Sequence, residues 1–298
     1  MNPKIKLYAG ILLLIHASIA LAGTENQRLH QYLAYDPTPL NEVVTNKTAL
    51  SGDTRQHITY DGFDGEKVTA YLAMPNLIKN QKPKTVVLVH GLTQSKDQWW
   101  KESGPWSFPG QITKALLDNG FAVFALDARN HGERLQPWDP QNPYAYIKES
   151  RVNGFSKMVL NSAIDVRRGI DYLESRTDLD LDGLAVMGFS MGGCIAWAST
   201  AADSRIKHLV AMATPNKLVK DADAIPLFSP LNFAPEITKP SVLMVMATED
   251  SFYTQSDAND LFNAVGSDDK KIAFVEGGHD LPKNTVDTVM PWFLKRAK

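Results

Sequence analysis

A serine between two glycines, Gly188-Phe189-Ser190-Met191-Gly192, closes an apolar run in a chain of 298 residues. A serine hydroxyl attacks a carbonyl carbon only when a base takes its proton and its oxygen stands clear of its neighbours. Glycines two residues before and after supply that clearance. A strand turning directly into a helix forces the corner residue into a strained backbone, and side chains at Gly188 and Gly192 would collide with the strand and helix. The five-residue pattern alone is weak, since chance produces it in such a chain with a probability of roughly 0.1. Context carries the rest: Leu184 to Met187 reads as a short buried strand, and Met191 to Ala202 as a helix of small and apolar residues that packs closely on a sheet.

A serine at such a corner needs an acid and then a base further along the chain. Of seven histidines, only His208 and His279 follow Ser190. His208 begins its apolar run, at the wrong end of a strand, whereas His279 follows Phe274-Val275-Glu276-Gly277-Gly278 in a glycine-rich loop just after one. His279 is therefore the expected base, the alternative being a plain surface-loop histidine. The acid orients the imidazole and stabilises its cation. Asp250 fits this place, a short loop after the run Val242 to Met246, with Glu249 as its rival. The developing oxyanion needs donors, one from the Met191 amide after the nucleophile and a second from the loop His90-Gly91-Leu92-Thr93, assigned to the Leu92 amide. His90 is read as shaping that loop, and Asp127 and Arg129 as bracing the catalytic loops through an ion pair with each other.

These residues must be held by a scaffold, and the apolar periodicity supplies one. Residues His57 to Tyr60 and Val68 to Met74 read as an antiparallel hairpin around Asp61-Gly62 and Asp64-Gly65. The runs Thr85 to Val89, Ala122 to Leu126, Leu184 to Met187, His208 to Ala213, Ser241 to Met246 and Lys271 to Val275 are continuous, as in strands buried on both faces. Helices are expected at Gln111 to Asn119, Phe155 to Ser175, Met191 to Ala202, Asp257 to Val265 and Asn284 to Arg296. Alternating strands and helices make a mostly parallel α/β sheet, covered on both faces, with the hairpin at one edge. Ligands in such sheets sit at the carboxyl ends of the strands, where Ser190, Asp250, His279 and the His90 loop all fall.

With His90-Gly91, Leu126-Asp127-Ala128-Arg129-Asn130-His131-Gly132, Gly188 to Gly192, Asp250 and His279 in this order, the chain resembles the α/β-hydrolase superfamily from about Gln56 onward. The resemblance implies the α/β-hydrolase fold and a serine nucleophile. The short connection from Pro215 to Pro240 leaves no room for a large helical cap. The chain is similar to dienelactone-hydrolase-like and small carboxylesterase members, and to prolyl-oligopeptidase catalytic domains without their propeller. Dienelactone hydrolases use a cysteine where Ser190 stands, which argues against the lactone as substrate. The stretch from Glu133 to Asn153 is lid-like and particular to this chain. Trp99, Trp100, Trp106, Trp138, Tyr144 and Tyr146 fall in loops facing the site, where they line a substrate pocket or pack the lid and rim.

Composition bounds what remains. Lys4 and Lys6, the apolar stretch Leu7 to Leu21 and Ala20-Leu21-Ala22 read as an export signal (1–22) cut near Ala22, giving a periplasmic or secreted protein beginning at Gly23. An uncleaved anchor is the alternative, disfavoured because the stretch falls short of the roughly 20 residues that span a bilayer. Residues 23–54 form a lead-in and 55–298 the catalytic domain. Cys194, the single cysteine, forms no intramolecular disulfide and reads as a buried apolar residue. A net charge of −2 without a basic cluster makes nucleic acid an unexpected partner. No metal-binding pattern is present, and the chemistry needs neither metal nor cofactor. The expected activity is hydrolysis of a small-molecule ester through an acyl-enzyme. A peptidase, thioesterase or acyltransferase would use the same parts, and a binding protein retaining the fold is the non-catalytic alternative.

Overall fold

The continuous apolar runs become a nine-stranded sheet in the computed structural model, which describes residues 29–48, 54–76, 81–135, 143, 152–217 and 228–297. The chain divides into two compact units, Met1–Ala34 and Tyr35–Lys298. Of the first, residues 29–34 are described and 29–33 are helical, so the expected export signal lies outside the described residues. In the second, the strands are β1 Val43–Thr48, β2 Thr54–Asp61, β3 Lys67–Ala73, β4 Lys84–Val89, β5 Ala122–Leu126, β6 Asp180–Phe189, β7 His208–Met212, β8 Ser241–Ala247 and β9 Lys270–Val275. Their order across the sheet is β1-β2-β3-β5-β4-β6-β7-β8-β9. The first three run antiparallel, β3 pairs β5 antiparallel, and β5 through β9 are parallel.

Every residue of β5 and β8 is buried, as uninterrupted apolar runs require when helices cover both faces. Those helices are α1 Phe108–Asp118, α2 Val152–Ser175, α3 Met191–Ala202, the short α4 Pro230–Phe233, α5 Gln255–Ala264 and α6 Val286–Ala297. Helix α3 is buried along nearly its whole length, so it carries small and apolar residues on every face rather than on one stripe. Helix α1 starts three residues before the apolar pattern suggests, because Pro109 suits the first turn. Helix α5 starts early through a reciprocal cap, Thr254 Oγ1 accepting from Asp257 N–H and Asp257 accepting from Thr254 N–H.

The expected hairpin is a three-stranded meander, since β1, drawn from the lead-in stretch, pairs along its length with β2. Val43 and Val44 stay exposed there. An edge strand gains backbone pairing rather than burial, so no apolar alternation marks it in the sequence.

From β4 the chain crosses to β5 on one side and then returns past β4 to β6 on the other. The reversal opens a crevice outside the carboxyl ends of β4 and β6. The loop after β4 and Ser190, which follows β6, both face it.

Candidate active site

Ser190 stands at the corner between β6 and α3 with φ +54° and ψ −117°, outside the regions open to an ordinary residue. Its N–H donates to Met212 O at 2.8 Å, and its carbonyl accepts from Cys194 N–H at 3.2 Å. The flanking glycines permit this turn. A Cβ at Gly188 would strike the backbone of Gly192, and one at Gly192 would strike the carbonyls of Val89 and His90. Strand, helix and the loop after β4 are thus in backbone contact around the hydroxyl.

Ser190 Oγ lies 2.7 Å from His279 Nε2, and His279 Nδ1 lies 2.7 Å from Asp250 Oδ2. A carboxylate only accepts, so Nδ1 carries the proton and Nε2 offers its lone pair to the serine hydroxyl. The Asp250 side chain is fully enclosed, while that of His279 keeps a small exposed edge. The second oxygen of Asp250 accepts from Phe252 N–H at 2.8 Å. Loops after β8 and β9 are tied together, Thr248 N–H to Val275 O and Glu249 N–H to Gly277 O, each at 3.0 Å. Glu249 itself is exposed, and the described structure gives its side chain no contact with His279. Tyr253 lies buried beside this acid, its oxygen accepting from Ala247 N–H at 2.9 Å. Burial, with the Asp250 charge close by, pushes its phenol upward. His208 sits at the opposite end of its strand, against Ser241 Oγ at 2.7 Å.

The loop after β4 turns tightly, Gln94 N–H donating to Gly91 O at 3.2 Å with Thr93 at φ +65°. Leu92 occupies the turn's second position. Met191 opens α3, whose first N–H groups have no partner within the helix. Buried His90 fixes this loop: Ala128 N–H donates to Nε2 at 3.0 Å, so Nδ1 carries the proton and donates to Gly91 O at 2.7 Å. Burial holds its imidazole below the usual histidine range. Gln98 Oε1 accepts from Gly91 N–H at 3.0 Å.

Asp127 and Arg129, expected to pair with each other, each take different partners. Asp127 bonds Lys96 Nζ at 2.7 Å, Lys96 N–H at 2.8 Å, Thr69 Oγ1 at 2.7 Å and Glu133 N–H at 3.1 Å. Arg129 pairs with Asp165 at 3.1 Å and Glu66 at 2.7 Å. Both lie past the end of β5, where the chain turns out of the strand toward Asn130 at φ +58°, and each meets a different loop. Burial alone would neutralise Asp127 and Lys96, but their mutual attraction outweighs it, holding the carboxyl below and the ammonium above their usual ranges. Asp127 therefore does brace the loop after β4, through Lys96. His131 is also buried, its Nδ1 on Arg129 O at 2.7 Å; burial and the neighbouring His90 push it down to about 3.

Among the aromatic candidates, Trp106 meets the site, its ring centroid 6.1 Å from that of His279 and 5.8 Å from Phe189. Trp99 does not line an open pocket, because it has no exposed surface. Trp100 packs edge-on against Tyr71 at 5.5 Å with Arg55 over its ring, toward the antiparallel edge. Trp138, Tyr144 and Tyr146, with most of the lid-like stretch, lie outside the described residues. Sequence reasoning missed Phe252, whose ring centroid is 4.4 Å from that of His279. Its place two residues after the expected acid was the available signal. Cys194 is free and buried, which pushes its thiol up to about 12. Among the described residues no cluster of three metal-ligating side chains occurs, and no helix is long and apolar enough to cross a membrane.

The family model for the alpha/beta hydrolase fold matches residues 84–264, from the start of β4 to the end of α5. The chain belongs to this family. The hydrolase fold recurs at low identity in solved structures. An acetyl xylan esterase from Paenibacillus sp. R4 superposes with a TM-score of 0.66 at 18% identity, covering 91% of this chain and 92% of that one. A cold-adapted esterase from an Arctic intertidal metagenomic library gives 0.63 at 19% identity, over 88% of this chain and all of that one. "Putative hydrolase YtaP" of Bacillus subtilis (strain 168) is 30% identical over 151 residues, 49% of this chain and 48% of its own length. The match thus spans about half of that curated relative.

Proposed function

We propose that this protein is a serine hydrolase of carboxylic esters. The observation that carries the reading is the unbroken relay from Ser190 Oγ to His279 Nε2 and from His279 Nδ1 to Asp250, both links 2.7 Å long. Ser190 Oγ attacks the ester carbonyl as its proton passes to Nε2, and Asp250 stabilises the imidazolium. The carbonyl oxygen becomes an oxyanion held by the Met191 and Leu92 amides. Collapse breaks the bond to the alcohol oxygen, which takes the proton from Nε2, leaving an acyl-serine. Water, deprotonated by His279, then releases the acid and restores Ser190. Several similar structures are described as esterases, which is the same chemistry. Among the ester hydrolases, the serine nucleophile and the short Pro215 to Pro240 connection suit a small carboxylesterase. Lys4, Lys6 and Ala20-Leu21-Ala22 support export, tested by a periplasmic or secreted product whose mass begins at Gly23.

Hydrolysis of nitrophenyl esters from acetyl to decanoyl tests the reading, with Ser190→Ala alongside. Loss of the nucleophile should lower kcat by about 10⁵–10⁶, and a fluorophosphonate should label the wild-type chain at Ser190 alone. Turnover that survives in Ser190→Ala refutes it. Faster release of aminoacyl-naphthylamides than of any ester would replace it with a peptidase.

A further inference from the structure

Three aromatic rings surround the His279 imidazole, and they differ in what they offer a ligand. Phe189 is 5.4 Å away between centroids but buried beside the nucleophile. Trp106 is half-buried and held at φ +59°, a conformation bulky residues take only where their surroundings impose it. Phe252, 4.4 Å away, keeps 53% of its surface exposed. Its position is tied to the acid, because its own N–H donates to Asp250.

The geometry of acyl transfer says which half of a substrate meets this ring. The carbonyl oxygen turns toward the Met191 and Leu92 amides, while the leaving oxygen must come within hydrogen-bond reach of Nε2 to collect its proton. The first atoms of the departing alcohol therefore lie along the open side of His279, where the available surface is aromatic. Aromatic rings pack well against flat apolar partners, offset-stacked or edge to face.

We propose that Phe252, together with Trp106, binds the alcohol half of the ester, and that the substrates carry a flat, apolar, aryl-type alcohol. This rests on the ester-hydrolase reading above. Phe252 is a specificity determinant acting on the leaving group, and the acyl group lies elsewhere.

The test compares wild type, Phe252→Ala and Phe252→Tyr on 2-naphthyl acetate and trifluoroethyl acetate, each ester referred to itself so that intrinsic reactivity cancels. The acyl group is the same in both. Phe252→Ala keeps the backbone donor to Asp250 and removes only a half-exposed ring, and wild-type-like circular dichroism checks its fold. It should lose about tenfold in kcat/KM on the naphthyl ester and less than about twofold on the trifluoroethyl ester, with Phe252→Tyr restoring the difference. Equal losses on both esters would mean that the ring acts only through His279, and would overturn the inference. A loss that instead grows with acyl length along a nitrophenyl series would place Phe252 on the acyl side and overturn it too. Absence of any Ser190-dependent ester turnover by wild type overturns the ester reading and takes this inference with it.

Discussion

Replacing Lys96 by methionine isolates the buried ion pair that holds the loop after β4. Both side chains of the Lys96–Asp127 pair have no exposed surface. The substitution removes the Nζ bonds to Asp127 at 2.7 Å and to Glu133 at 2.9 Å, while the apolar stem keeps its packing. Asp127 is left as an enclosed carboxylate with three remaining donors: Thr69 Oγ1, the residue 96 amide and the Glu133 amide. Breaking a buried pair from one side typically costs 3–5 kcal/mol, so with those donors still in place we expect about 3 kcal/mol. For a domain of this size that is a fall in Tm of about 6–10 °C. Urea unfolding at pH 7 measures it, and the pH dependence gives a second reading. The Asp127 carboxyl is held below its usual range, so the pair's contribution is complete above about pH 4 and fades as pH falls through the folded value. The gap between wild type and variant should narrow over that range. Esterase kcat should also fall, because both Lys96 Nζ and the residue 96 amide hold the loop after β4 on Asp127, and the substitution leaves the amide alone to do so. A Lys96→Met protein within about 0.5 kcal/mol of wild type would refute the reasoning, since ordinary surface substitutions stay within that range.

Three other outcomes follow from the same geometry. Leu92→Ala keeps the amide and should change kcat little, whereas Leu92→Pro, acceptable at the second position of a turn, deletes the N–H and should cost about 10²–10³ in kcat with folding retained. Asp250→Asn should lower kcat by about 10⁴ and Glu249→Gln hardly at all, because only Asp250 bonds His279; the reverse ranking in steady-state kinetics would reassign the acid. His131 sits at about 3 when folded against an ordinary value of 6.5. Its neutral form supports stability above about pH 6.5, and that support is lost as pH falls toward 3; His131→Gln should flatten this decline in urea midpoints measured from pH 7 to 4.

The positions of the candidate groups were legible because each is fixed by local backbone requirements. Gly188 and Gly192 declare a corner that tolerates no Cβ, and Asp250 and His279 declare themselves by following continuous apolar runs into loops. Helix α3 and strand β5 occur where the apolar pattern puts them, since complete burial leaves few alternatives. Strand β1 was hidden because it is held by backbone pairing to β2, which any polar sequence can make.

Periodicity and steric limits act within a few residues, and they suffice for the hydrolase fold and for the order of nucleophile, acid and base candidates along the chain. Which side chains meet is set by the folded arrangement alone. Asp127 bonds Lys96, 31 residues away, rather than nearby Arg129, and Arg129 reaches Asp165 on helix α2. Trp99 goes inside and Phe252 comes to the imidazole. Residues equally polar or equally aromatic in the sequence are separated only by the direction each projects once the sheet has twisted and the loops have closed. Pairing and enclosure depend on those directions, and no local pattern encodes them.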